Sequence, residues 1–162
     1  MSNTSILSDW FELDGETVMW KKAGRGIPLD RIARTRLEKN GYVYLWCRGK
    51  RFLLHRVKFF LKYGYAPEYI DHVDGNPLNN DFHNIREATN QQNLRNMSKR
   101  SNATSRFKGV CRKRNKWRAY IAVDSKQINL GVFVNEEDAA RAYNQKAIEL
   151  FGEFAKVNNV GS

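Results

Sequence analysis

Four side chains between Asp71 and Asn93 have the types and spacing to do chemistry on a phosphodiester: the adjacent pair Asp71-His72, then Asn84, then Asn93. A carboxylate and an amide oxygen suit a hard, oxygen-preferring cation such as Mg²⁺. Such a cation keeps several waters and takes one or two protein carboxylates beside phosphate oxygens. An imidazole beside it can take a proton from water near neutral pH. Each of the four taken alone is an ordinary polar residue; only the joint pattern points to hydrolysis.

The elements that must position them follow from the same stretch. Tyr69-Ile70 is a short apolar approach, and Asp74, Gly75, Asn76 and Pro77 favour chain reversal, with Asp74 and Asn76 read as turn formers. A second short strand, Asn84-Ile85-Arg86, follows, and Thr89 with Gln92 forms a helix-opening capping box. The order strand, loop, strand, helix lets all four residues converge. His83 adjoins Asn84, so on a strand it points to the opposite face and falls outside the set.

The pattern Asp71-His72, Asn84, Asn93 resembles the HNH nuclease motif. The surrounding Ile-Asp-His-Val-Asp-Gly-Asn, the doublet Asn79-Asn80 and Asn-Ile-Arg-Glu-Ala-Thr resemble the family's homing-endonuclease branch, and the resemblance runs back through His55-Arg56 to Tyr42. It implies a ββα-metal domain in which Asp71 and Asn93 hold one cation, His72 is the base, and Asn84 completes the catalytic set by fixing the loop that aims His72. The last motif position, often His in the family, is Asn93 here, which favours Mg²⁺ or Mn²⁺ over a softer metal. A His-Arg pair recurs in the family at His55-Arg56; Arg56 is a candidate phosphate contact, and His55 is expected to be a structural, hydrogen-bonded histidine.

Upstream, Leu7 to Met19 reads as a hairpin around Asp14-Gly15. Residues 27–38 read as a short helix or an irregular excursion. Gly41 to Cys47 is a strand, Arg48-Gly49-Lys50 a tight turn, and Phe52-Leu53-Leu54 its returning partner. A helix over 55–63 shows Val57, Phe60 and Leu61 on one face and is stopped by Gly64. Downstream, 98–107 has the polar composition of a linker, with Arg100 and Arg106 suited to a phosphate row. From 108 to 162 the pattern is three short strands and a helix from Glu136 to Phe151, with Ala139, Ala140, Tyr143, Ala147, Ile148 and Phe151 on its apolar face. The expected organisation is therefore α+β, with a nuclease-like domain over 1–97, a linker over 98–107 and a second domain over 108–162.

That second domain resembles the Apetala-type, ethylene-response-factor DNA-binding domain. The matching residues are Gly109-Val110-x-Arg112, Trp117-x-Ala119-x-Ile121, Leu130-Gly131-x-Phe133, Ala139-Ala140-Arg141-Ala142-Tyr143 and Gly152-x-x-Ala155-x-x-Asn158. In that family the sheet lies in the DNA major groove, so the resemblance implies DNA contacts from Arg112, Arg114, Trp117 and Arg118. Val123 stands where the plant domains often carry Arg, and the first strand is shortened around Cys111, so the plant recognition sequence does not transfer.

Charge agrees with such a partner. The chain of 162 residues carries a net +11, and residues 95–135 hold eleven basic residues against one acidic, Asp124, interleaved with Trp117 and Tyr120. A concentrated basic block with aromatics reads as a nucleic-acid surface rather than a solubility device. Cys47 and Cys111 form no metal-ligand spacing, no apolar run approaches a membrane span, and the N-terminus lacks a signal-peptide pattern. Together these predict an intracellular, cytoplasmic protein acting on double-stranded DNA, nicking one strand as a monomer because one site cuts one strand. The competing readings are a non-catalytic DNA-binding regulator and an RNA-acting or structure-directed nuclease.

Overall fold

The computed structural model describes residues 3–22, 24–96 and 104–161; Arg100 and most of the expected linker lie outside the described residues. The chain divides into two compact units, 1–89 and 90–162.

The first unit opens with helix α1 (Asn3–Trp10) and the antiparallel hairpin β1 (Phe11–Asp14) and β2 (Thr17–Trp20). The hairpin agrees with the sequence reading, but Leu7 belongs to α1, where it is buried with Ile6. Residues 27–38 form no helix. The run pairs sideways with β2 around Ile32, where Trp20 N–H donates to Arg31 O (2.7 Å) and Ala33 N–H to Val18 O (2.9 Å), while Arg31 N–H closes a turn on Pro28 O (2.9 Å). It ends in β3 (Thr35–Leu37), which pairs with β4 (Val43–Cys47), itself paired with β5 (Lys50–Leu53). The β4–β5 turn has φ of +52° at Arg48 and +73° at Gly49, the two-residue geometry that matches strand twist.

Helix α2 (Leu54–Tyr63) follows directly and ends at Gly64, whose left-handed φ of +80° lets its N–H close onto Phe60 O. The sequence suggests one buried face, whereas α2 is packed on two. Val57 enters a core with Phe11, Val18, Leu45 and Phe52. Phe59 enters a second cluster with Ile70 and Ile85, and Phe82 packs on its edge. Those two isoleucines lie on β6 (Tyr69–His72) and β7 (Ile85–Ala88), an antiparallel ribbon pairing Asp71 with Arg86 and His72 with Ile85. A two-stranded ribbon is marginal by itself, and α2 supplies the apolar surface that holds it.

In the second unit, α3 (Asn90–Asn96) precedes the antiparallel sheet of β8 (Val110–Lys113), β9 (Lys116–Val123) and β10 (Lys126–Phe133), ordered β10-β9-β8. Helix α4 (Glu136–Phe151) lies on this sheet, with Ala139, Ala140, Tyr143 and Ala147 buried against Val110, Ala119 and Ile121. Ile148, expected on the same face, is exposed. The three alanines have no side chain beyond Cβ and bring the helix close to the strands, which narrows the buried stripe. Gly109 (φ +73°) sits where a Cβ would meet the Tyr143 ring at 2.0 Å and Tyr120 O at 2.6 Å. Asn158 pins the tail: its amide exchanges hydrogen bonds with both backbone groups of Lys108 (2.6 and 3.0 Å), and its own backbone does so with the Asn144 amide.

Candidate active site

The β6–β7 ribbon delivers Asp71, His72 and Asn84 to one region of the first unit. Asp71 and His72 end β6 and are 4% and 7% exposed; Asn84, just before β7, is equally buried. Asp71 does not stand as a bare carboxylate. Its cross-strand neighbour Arg86 donates to Oδ2 through both Nε (3.1 Å) and Nη2 (2.9 Å), a buried ion pair. Sequence reasoning passed over Arg86, although opposite charges directly across an antiparallel pair were the available signal.

His72 lies in a polar pocket. Its Nε2 is 3.1 Å from Oδ1 of the buried Asn80. The ring of His55 packs against it edge-on, centroids 4.9 Å apart, and Tyr42 flanks both imidazoles. His55 does not meet the expectation of a satisfied histidine, because its buried Nδ1 has no hydrogen-bond partner among the described residues. Burial, with repulsion from His72 and Arg56, pushes its pKa down to about 3, so it is neutral at physiological pH.

Asn84 ties the connecting loop to itself. Its Oδ1 accepts from Asp74 N–H (3.0 Å), its Nδ2 donates to Asp74 Oδ1 (3.0 Å) and Asn79 O (2.7 Å), and its carbonyl accepts from Val73 N–H. Burial of the Asp74 carboxyl raises its pKa, but donation from Asn76 N–H, Asn79 and Asn84, with the His72 charge, outweighs this and lowers it. A further brace arrives from the first hairpin: Glu16 accepts from Phe82 N–H (3.0 and 3.2 Å) and pairs with the buried Lys58 of α2. Nothing local in the sequence links Glu16 to this loop. His83 is exposed and outside the cluster.

Asn93 sits half-buried on α3, in the second unit. Arg56 is engaged within the first unit, donating to Pro67 O (2.6 Å) and Glu68 O (3.2 Å). In the second unit Arg106 pairs with Glu137 and Glu136 at the start of α4. On the sheet, strand alternation buries Ala119 and Ile121 toward α4 and puts Arg118 and Tyr120 on the opposite, open face. Arg118 Nε donates to Asn129 Oδ1 (3.1 Å), and its guanidinium lies 5.5 Å from the Tyr120 ring. Trp117 packs on the core with the Arg112 guanidinium over its ring, while Arg114 occupies the β8–β9 turn at φ +55°.

Residues 52–103, which span α2 and the ribbon, match the family model described as HNH endonuclease. The chain is 38% identical over 127 residues to an uncharacterized HNH endonuclease of Acanthamoeba polyphaga mimivirus, covering 76% of this chain and 66% of that protein. It is 38% identical over 90 residues to protein 3.8 of Escherichia phage T7, covering 54% of this chain and 74% of that protein. This chain carries an N-terminal HNH-type nuclease domain. The HNH chain thus spans slightly under two thirds of its mimiviral relative. It is also 34% identical over 79 residues to an ethylene-responsive transcription factor-like protein of Arabidopsis thaliana, covering 48% of this chain and 35% of that protein, and its C-terminal domain is weakly related to the Apetala type. No solved structure matches. The match is to a nuclease family at the level of the domain that residues 52–103 belong to. No helix among the described residues is long and apolar enough to cross a membrane.

The donor set decides which metal chemistry fits. Among the described residues there is no group of three or more His, Cys, Asp or Glu side chains able to cage an ion. A hard cation that keeps most of its waters and shares phosphate oxygens needs no such cage.

Proposed function

We propose that this HNH protein is a metal-dependent, site-specific DNA endonuclease of the homing type that nicks one strand of a duplex as a monomer. The observation that carries the reading is the buried Asp71-His72 pair at the end of β6, with its loop tied by Asn84 and its histidine held by Asn80. His72 takes a proton from a water molecule as that oxygen attacks the scissile phosphorus; the new P–O bond forms as the bond to the departing sugar oxygen breaks. Asp71 and Asn93 are the residues that would hold one Mg²⁺ or Mn²⁺. When bound, the cation supplies electrostatic stabilisation to the charge developing on the phosphate and the leaving oxygen. Asn84 keeps the loop from drifting and so keeps His72 aimed.

The C-terminal sheet delivers the duplex. Arg118, pre-oriented by Asn129, is the open-face candidate for base or phosphate contact, with Arg112, Arg114 and Trp117 at the neighbouring strand ends and Arg56, Arg100 and Arg106 as phosphate contacts. The domain plan that goes with this reading is nuclease over 1–97, basic linker over 98–107 and DNA reader over 108–162. The test is a strand-resolved cleavage assay on end-labelled duplexes from the source genome, with Mg²⁺, Mn²⁺ or chelator. Cleavage of a single strand that chelator abolishes supports the reading. Tight binding with no cut in any metal would move the protein to the regulator reading, which the Arg86–Asp71 pair favours by occupying the carboxylate.

A further inference from the structure

We infer that Asn80 is a positioning residue that holds His72 in a single tautomer, proton on Nε2, so that Nδ1 is the nitrogen that accepts the proton. The inference rests on the nuclease reading for its purpose and on hydrogen-bond bookkeeping for its content. Asn80 is 7% exposed, and its side chain has three neighbours to satisfy. Two are backbone carbonyls, Leu78 O at 3.1 Å and Pro77 O at 3.4 Å, and both can only accept. The Asn80 amide nitrogen must therefore face them. Its Oδ1 is then fixed toward His72 Nε2 at 3.1 Å, and an amide oxygen can only accept. So Nε2 must carry the hydrogen.

Neutral imidazole has one donor and one acceptor nitrogen, and the bond made by one decides the chemistry of the other. With Nε2 donating, the basic lone pair is on Nδ1. The same bond holds the ring against rotation and continues to be made when the ring is protonated, since both nitrogens then donate. His55 does not supply this function. It lies against the His72 ring edge-on but is neutral, and its own Nδ1 is without a hydrogen-bond partner among the described residues. The loop geometry that brings Asn80 back onto β6 depends on Asn84, which holds Asn79 O and Asp74 and so fixes the residue beside Asn80. Asn84 thus acts through Asn80, and Asn80 acts on the base.

The direct measurement is a long-range ¹⁵N–¹H correlation spectrum of the histidine side chains in the full chain at mildly alkaline pH. The His72 signals are assigned by their loss in His72→Ala. The expected result is an Nε2–H tautomer for His72; an Nδ1–H tautomer in the unmutated protein overturns the inference without recourse to any variant. Asn80→Leu should lose the tautomer preference and lower the nicking turnover roughly tenfold to a hundredfold at unchanged duplex affinity. Asn80→Asp retains the acceptor toward Nε2 but loses the donor to the two carbonyls, so it should restore the tautomer with only part of the turnover. Full turnover and an unshifted spectrum in Asn80→Leu would also overturn the assignment. If the Nε2–H tautomer is present and depends on Asn80 but the protein cuts no DNA, the positioning bond stands and the nuclease reading falls.

Discussion

The Asp71 carboxylate that would meet a cation is already partnered, and this has a consequence for stability. Arg86 forms a buried ion pair with it, and both groups are largely out of water. Replacing Arg86 with Met removes this counter-charge from a buried carboxylate and should cost about 3 kcal/mol in a urea melt taken in chelator. Mg²⁺ or Mn²⁺ should then raise the melting temperature of Arg86→Met more than that of the parent, because the cation replaces the lost counter-charge. Equal shifts in the two proteins would separate Asp71 from metal binding. His55 gives a pH signature. Its folded pKa is about 3 against an ordinary 6.5, so between those values the unfolded chain binds a proton that the folded chain refuses. The stability is fully present above pH 6.5 and is lost as pH falls toward 3. His55→Leu should flatten that limb in thermal melts taken across the range; an unchanged slope would assign the acid sensitivity to other groups.

At the level of elements, the ribbon and its loop are held from outside by the first hairpin. Glu16 caps Phe82 N–H and pairs with Lys58, although it is 66 residues from Phe82 in sequence. Its carboxyl pKa is raised by burial but lowered further by Lys58 and the Phe82 N–H, for a net lowering. Glu16→Gln should destabilise the protein by about 2 kcal/mol, a figure discounted because Glu16 is half exposed. It should also slow nicking, and nicking at the parent rate would show that the brace does not reach His72. In the second unit, Gly109→Ala forces a Cβ into Tyr143 at a positive φ and should cost about 3 kcal/mol by denaturant titration. The strand order around Asp71 and His72 was legible because its turn residues are local and its apolar positions alternate. The sheet and α4 were legible for the same reason. What the sequence hid is what depends on tertiary closure: α1, too short to be read by periodicity; the second buried face of α2; Asn80 folding back onto His72; and Glu16 reaching across from another hairpin. The Asn79-Asn80 doublet carries no local sign of a partner, and only the packed loop shows that Asn80 has one.

On the scale of the whole molecule, the basic excess lies in 95–135 while the Asp71-His72 pair lies in a ribbon of the first unit. Division of labour follows: the basic region should set affinity and the ribbon should set the chemistry. Duplex affinity should fall linearly with the logarithm of salt concentration, and Arg118→Ala should weaken binding and flatten that slope while leaving the metal requirement unchanged. A slope indifferent to Arg118 would remove the open face from the duplex interface. The central claim, that His72 is the base of a metal-dependent nick, is tested most directly by incubating supercoiled plasmid carrying source DNA with the protein or with His72→Ala, in Mg²⁺, Mn²⁺ or chelator, with duplex binding measured alongside. The account predicts open-circular product only with metal and only from the parent protein, with His72→Ala binding undiminished. Undiminished nicking by His72→Ala would contradict it.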